Sequence, residues 1–188
     1  MRIISGKFKG KKILEPNDLN TRPLKDLTKE SIFNIIKHSN KFTINLENSE
    51  ILDLFSGTGS FGIECISRGA KFVTFVENYE GILPILKKNL ANLKSASNYS
   101  IIEKNIFNNL NLKEFKKQFD IIFLDPPYKE KELNKLLSFL INEKILNQNG
   151  IIVIHRHKKQ IDSLPNQINI LEEKKYGISK ILFCKLLN

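Results

Sequence analysis

The sequence predicts an α/β fold: a mostly parallel sheet with helices on both faces, closed by a C-terminal antiparallel hairpin and preceded by an N-terminal β-hairpin and helix. Three observations carry this. From residue 50 onward, short apolar runs alternate with segments of helical period. The runs at 51–55 (ILDLF), 72–76 (FVTFV), 120–124 (DIIFL) and 151–155 (IIVIH) are almost continuously apolar, as parallel strands covered on both sides are; 99–103 (YSIIE) is a shorter example. The final segment, INILEEKKYGISKILFCKLL, breaks the alternation, because two strand-like runs flank a Tyr176-Gly177 turn.

Taken in order, residues 1–14 place two short β-like runs around Gly6 to Gly10, a hairpin pattern. Residues 26–38 set Leu27, Ile32, Ile35 and Ile36 near one helical face, with Asp26 or Thr28 available as cap. Helical patterns then fall at 60–68, 79–93, roughly 111–117, and 130–144. The 188 residues suit a single domain, with a basic extension at 1–41 and a Rossmann-like core at 50–188. An apolar content of 41% with 27% charged residues is that of an ordinary soluble globular chain. No apolar run is long enough for a membrane span, and MRIISGKFKG lacks the apolar stretch of a secretory signal, so a cytoplasmic protein is expected. Cys65 and Cys184 read as core thiols, and the Cys and His spacing predicts no metal.

The net charge of +10 is unevenly spread. Residues 1–41 hold ten Lys and Arg against four acids, +6, leaving only +4 for the other 147 residues. A basic arm on a near-neutral body points to a phosphate-rich partner, and Arg2, Lys7, Lys9, Lys11, Lys12 and Arg22 are the candidate contacts.

Ligands of such sheets bind beyond the carboxyl ends of the strands, where strand order reverses. The first strand runs into LDLFSGTGSFGIE, in which Gly57, Gly59 and Gly62 form G-x-G-x-x-G, and Glu77 follows the second strand. Alone, this also fits a dinucleotide site. Asp53 argues otherwise: a carboxylate is unfavourable beside a pyrophosphate and favourable beside an ammonium or sulfonium group. The pattern D-x-F-x-G-x-G (Asp53, Phe55, Ser56, Gly57, Gly59) resembles the first motif of class I S-adenosylmethionine-dependent methyltransferases. The resemblance implies that Asp53 faces the methionine amino group, that the glycine backbone passes close to the cofactor, and that Glu77 accepts from the ribose hydroxyls. Asn105, past the third strand, is a candidate for the adenine edge or a simple turn residue.

The fourth strand ends in Asp125-Pro126-Pro127-Tyr128, which resembles the (D/N/S)-P-P-(Y/F/W) motif of methyltransferases acting on exocyclic amino groups. Such an NH2 is a poor nucleophile because its lone pair is delocalised into the ring. Two acceptors aimed at its hydrogens, the Asp125 carboxylate and the Pro126 carbonyl, would redirect that lone pair toward a methyl donor. Pro126 and Pro127 fix the backbone and remove competing N–H groups. Tyr128 would stack on the extruded base.

Across nearly its whole length the chain resembles the RsmD family of bacterial 16S rRNA guanine-N2 methyltransferases, through MRIISGKFKGKK, TRPLKDLTKESIFN, LDLFSGTGSFGIE, FVE, DPPY and YGISKILF. This implies a Rossmann-like class I methyltransferase sheet, S-adenosyl-L-methionine as cofactor, and 16S rRNA or the assembling small subunit as partner to a monomer. Three positions depart from the family pattern: Lys29 where Arg is usual, Tyr79 where an acid often follows the ribose-binding Glu, and His155 where an acid is common. The residues alone leave four alternatives open: a DNA adenine-N6 methyltransferase, a protein-glutamine methyltransferase (whose motif favours Asn at the position of Asp125), a non-catalytic nucleic-acid-binding module and an NAD-dependent enzyme.

Overall fold

The structure is a computed structural model that describes residues 1–16, 18, 24–107, 115 and 117–187. Helix α1 (Asp26–His38) is followed by β1 (Glu50–Leu54), α2 (Ser60–Ser67), β2 (Phe72–Val76), α3 (Leu83–Ala91) and β3 (Tyr99–Ile102). Then come β4 (Phe119–Leu124), α4 (Leu133–Asn142), β5 (Leu146–His157), β6 (Ile168–Tyr176) and β7 (Ser179–Leu186). The strands make one sheet in the order β3-β2-β1-β4-β5-β7-β6. The first five in sequence pair in parallel, and β7 runs antiparallel between β5 and β6. Strand order therefore reverses between β1 and β4, as the α/β pattern requires.

Residue alternation sorts the core. On β1, Ile51 packs with the hairpin, α1, α2 and α3, while Leu52 and Leu54 pack with α4 on the opposite face. Each buried Leu, Ile or Phe contributes roughly 1.5–3 kcal/mol. Asp53 shares the face of Ile51, which places its carboxylate under α2. Among the described residues, no helix is long and apolar enough to cross a membrane.

Several boundaries differ from the sequence reading. The N-terminal hairpin has a single antiparallel bridge, Arg2 with Lys12. Its arms are joined by the N–H groups of Ile3 to the Lys11 carbonyl (2.9 Å), Gly10 to that of Ile3 (2.9 Å) and Ile13 to that of Met1 (3.0 Å). It docks on α2: Glu64 accepts the N–H groups of Ile4 (2.7 Å) and Ser5 (2.9 Å), and the Ser67 carbonyl accepts that of Lys7 (2.7 Å). Gly6 permits this docking, since a Cβ there would lie 1.8 Å from the Ser67 carbonyl oxygen. On α1, neither Asp26 nor Thr28 caps the helix, whose N-cap is Lys25, and Leu27 is exposed. Five residues advance a helix by about 500°, so Leu27 stands well away from Ile32; the buried face is Ile32, Phe33 and Ile36. Helix α3 starts four residues later than its pattern, with Pro84 in the first turn, where its missing N–H costs nothing. The helix expected at 111–117 falls largely outside the described residues.

Strand β6 forms the outer edge of the sheet. Its pairing with β7 slips register between Ile170 and Glu172, and Glu173, Lys174 and Lys175 are exposed along it.

Candidate active site

A cavity of about 480 Å³ opens at the carboxyl ends of the parallel strands, between the loops after β1 and β4. Its floor on one side is the loop after β1. Phe55 takes a left-handed backbone conformation there (φ 60°), uncommon for a residue with a Cβ, and Gly57 and Gly59 continue the turn at φ 54° and 81°. Asp53 is 1% exposed and accepts the N–H of Gly62 at 2.9 Å, near the N-terminal end of α2. A Cβ on Gly62 would lie 2.3 Å from the Phe75 ring and 2.9 Å from the Asp53 carboxylate, so the third glycine of the motif is required by close approach. Ser56 ties β1 to β2, donating from Oγ to the Asp53 carbonyl (2.6 Å) and accepting the Val76 N–H (3.0 Å).

Glu77, at the end of β2, accepts three backbone N–H groups: Gly57 at 2.7 Å, Asn78 at 2.8 Å and Tyr79 at 2.9 Å. A carboxylate has about four acceptor directions, so the loop after β1 and the turn after β2 are locked to one side chain. Asp53, Glu77 and Asp125 all line the cavity. Burial pushes the Asp53 carboxyl well above its usual range, and the charges of Asp125 and Glu77 add to this against the Gly62 N–H. Three carboxylates facing one space suit a cationic ligand.

Opposite lies the end of β4. The Asp125 N–H reaches the Leu54 carbonyl at 3.3 Å, and the two following prolines have no N–H to extend the ladder. His155 brackets the site: Nδ1 is 2.8 Å from Asp125 Oδ1 and Nε2 is 2.9 Å from Ser179 Oγ. Nδ1 must donate, because a carboxylate only accepts. The Tyr128 ring stands edge-on to His155 and His157, with centroids 6.5 and 5.1 Å away. Beneath this loop Arg156, fully buried, donates to the carbonyls of Pro127 (3.1 Å) and Glu130 (3.0 Å) and to both oxygens of Asp162.

The His155 contact has a pH signature. Burial lowers the imidazole pKa, but the charge of Asp125 and its hydrogen bond outweigh burial and the opposing Arg156 charge, so the value lies above the usual 6.5. A raised folded-state pKa adds stability that is fully present below about 6.5 and is lost as pH rises through the folded value. Urea titrations across that window are expected to show the stability advantage of wild type over His155→Phe shrinking as pH rises; a difference flat with pH would refute the coupling.

A profile of the family described as "Conserved hypothetical protein 95" matches residues 1–185. A Haemophilus influenzae protein named Ribosomal RNA small subunit methyltransferase D is 34% identical over 179 residues, 95% of this chain and 90% of that one. Its namesake from Buchnera aphidicola subsp. Acyrthosiphon pisum is 37% identical over 172 residues, 92% and 86% of the two chains. The chain belongs to this family, the RsmD family. The crystal structure of "putative methylase HI0767" from Haemophilus influenzae superposes with a TM-score of 0.74 at 31% identity, covering 100% of this chain and 98% of that one. The fold is thus the Rossmann-like class I methyltransferase fold.

Within this RsmD-family fold, Asp53, Phe55, Ser56, Gly57, Glu77, Asp125, Pro126, Pro127 and Tyr128 all reach the cavity wall. Gly59 lies behind it as the N-cap of α2. Asn105 does not line the cavity; its Oδ1 accepts the Phe107 N–H at 2.9 Å, as a turn residue does. Of the candidate RNA contacts, Arg2, Lys7, Lys9, Lys11 and Lys12 are exposed, and Arg22 lies outside the described residues. Lys29 is fully buried instead, its Nζ 2.8 Å from the Arg2 carbonyl and 3.1 Å from Ser60 Oγ, so it joins the hairpin to α2. Sequence reasoning missed Arg156, although a charged residue continuing the apolar run of β5 was a visible signal. It noted His155 and Tyr79 only as departures. Both line the cavity, and the Tyr79 hydroxyl donates to Asp18 at 2.9 Å.

Proposed function

We propose that this chain transfers a methyl group from S-adenosylmethionine to the exocyclic N2 amino group of a guanine in small-subunit 16S rRNA, free or in the assembling subunit. The observation that carries this reading is the presence of Asp125, in its D-P-P-Y setting, in the same cavity as Asp53 and Glu77. Membership of the RsmD family supports the RNA substrate.

The cavity fits the cofactor. Its volume lies within the roughly 300–1,000 Å³ of small-molecule sites, and its carboxylates offer partners for an ammonium, a sulfonium and ribose hydroxyls. Asp53 suits the ammonium, and that contact would favour its ionised form. Glu77 suits the ribose; because three backbone N–H groups already reach it, holding both hydroxyls requires one of those bonds to give way. When bound, S-adenosylmethionine supplies an electrophilic methyl carbon on sulfur.

On the other wall, Asp125 Oδ2 and the Pro126 carbonyl accept the two amino hydrogens and hold the N2 lone pair toward that carbon. Methyl transfer to N2 would break the C–S bond and leave its electron pair on sulfur, which is the chemistry the bound cofactor would supply. Nitrogen, then cationic, releases a proton to Asp125 and on to solvent. Alignment and acceptor placement supply most of the rate, because no strong base is needed before attack.

Incubating the protein with S-adenosylmethionine and either 16S rRNA or DNA, followed by nucleoside mass spectrometry, is expected to give N2-methylguanosine from the rRNA alone. N6-methyladenine in DNA, or no methylated nucleoside at all, would reject the reading.

A further inference from the structure

The N-terminal hairpin is the more basic end of the sequence, yet its tip does not adjoin the cavity. Lys7 binds through its N–H at Ser67, the C-terminal end of α2, whereas Ser60 at the other end lines the cavity. Seven residues of helix separate the two ends by about 10 Å. Two of the hairpin lysines are also partly engaged: Lys7 and Lys11 lie over the Phe8 ring, and Lys11 Nζ is 3.3 Å from the Asn92 carbonyl.

A second set of cations lies on the two loops that meet at Tyr128. Lys129 lines the cavity directly after Tyr128, and Lys131 follows in the same loop. Lys158 and Lys159 occupy the turn after β5, where the Lys159 N–H meets His157 Nδ1 beside the Tyr128 ring. All four are exposed, and none has an ion pair among the described residues, unlike Lys135, Lys174 and Lys175. The nearby acids are largely committed. Asp162 is held by Arg156, Glu132 pairs with Lys135, and the Glu130 carboxylate accepts the Glu132 N–H. Arg156 fixes the geometry by holding the first loop through Pro127 and Glu130 while belonging to the strand that leads into the second. An aromatic ring set among cations on a braced surface is the arrangement that binds unpaired nucleic acid, with bases stacking on the ring and phosphates meeting the charges.

We infer that Lys129, Lys131, Lys158 and Lys159 form a phosphate-binding rim for single-stranded RNA whose base enters the cavity at Tyr128. This rests on the proposed function only in taking RNA as the partner. It separates two grips: the rim holds the nucleotides next to the target, and the hairpin lysines reach RNA farther away.

The test is fluorescence-anisotropy binding of an unpaired RNA of about six nucleotides, near the short end of single-strand site sizes, over a salt series. The variants are the fourfold Lys→Gln change at 129, 131, 158 and 159 and the matched change at 7, 9, 11 and 12, with thermal unfolding checking that each folds. For the rim variant, the slope of log affinity against log salt is expected to flatten by about 2 to 3, since each single-strand phosphate that is no longer neutralised accounts for about 0.7. The hairpin variant should leave that slope unaltered on the short RNA and flatten it on a long one. A rim variant with the wild-type slope, or a hairpin variant that alone flattens it on the short RNA, overturns the inference. No methyl transfer is measured, so failure of the rim and failure of the proposed reaction are read separately.

Discussion

Asp125→Ala is expected to lower methyl transfer by roughly 10²- to 10³-fold, the size seen when one well-placed polar contact to a reacting group is removed. Asp125→Asn is the sharper variant. His155 Nδ1 donates toward this side chain, so an amide would turn its oxygen to His155 and leave its NH2 facing the cavity. A donor would then meet the donor hydrogens of the substrate amino group, and the near-isosteric change should be about as damaging as the truncation. Turnover measured with labelled S-adenosylmethionine, alongside calorimetry of cofactor binding, checks this: kcat should fall far more than cofactor affinity. Activity within tenfold of wild type in either variant would remove Asp125 from the chemistry.

Arg156→Met is expected to destabilise the fold by about 3–5 kcal/mol, the usual cost of leaving one partner of a buried ion pair behind. The Asp162 side chain is 8% exposed and would be left without its guanidinium partner, while the carbonyls of Pro127 and Glu130 would lose their donor. Urea unfolding gives the magnitude. Pairing the change with Asp162→Asn should recover part of the stability by removing the stranded charge. It should not restore turnover, because the loop carrying Asp125 and Tyr128 stays untied. A single variant within about 1 kcal/mol of wild type would mean that the loop is held by other interactions.

The contrast between these residues marks how far the sequence could be read. Asp125 and Tyr128 stood out because their segment is contiguous: an apolar run ending in Asp-Pro-Pro-Tyr states its chemistry locally. The same holds for Asp53, the glycine loop and Glu77, and for strands whose apolar runs need both faces covered. Contacts across elements were not legible. His155 meets Asp125 thirty residues away only because β4 and β5 pair with Leu124 opposite Ile154. Lys29 was legible only as a lysine where Arg is usual, because the hairpin that covers it comes from another segment. The start of β5 was hidden because Asn147, Gln148, Asn149 and Gly150 resemble a turn, and they join the strand where its pairing with β4 is irregular. Leu27 illustrates the opposite error, an apolar residue assigned to a buried face that the helical angle does not allow.

The outermost strand also bears on how the molecule behaves at high concentration. A row of unpaired N–H and C=O groups on a sheet edge is a template for another chain's strand. On β6 that row is interrupted by the register slip after Ile170, and the run Glu172, Glu173, Lys174, Lys175 places opposite charges where an incoming strand would have to lie. Any chain adding there would have to match a kinked ladder and desolvate those charges, so this edge resists fibrous self-association even though it is an open end of the sheet.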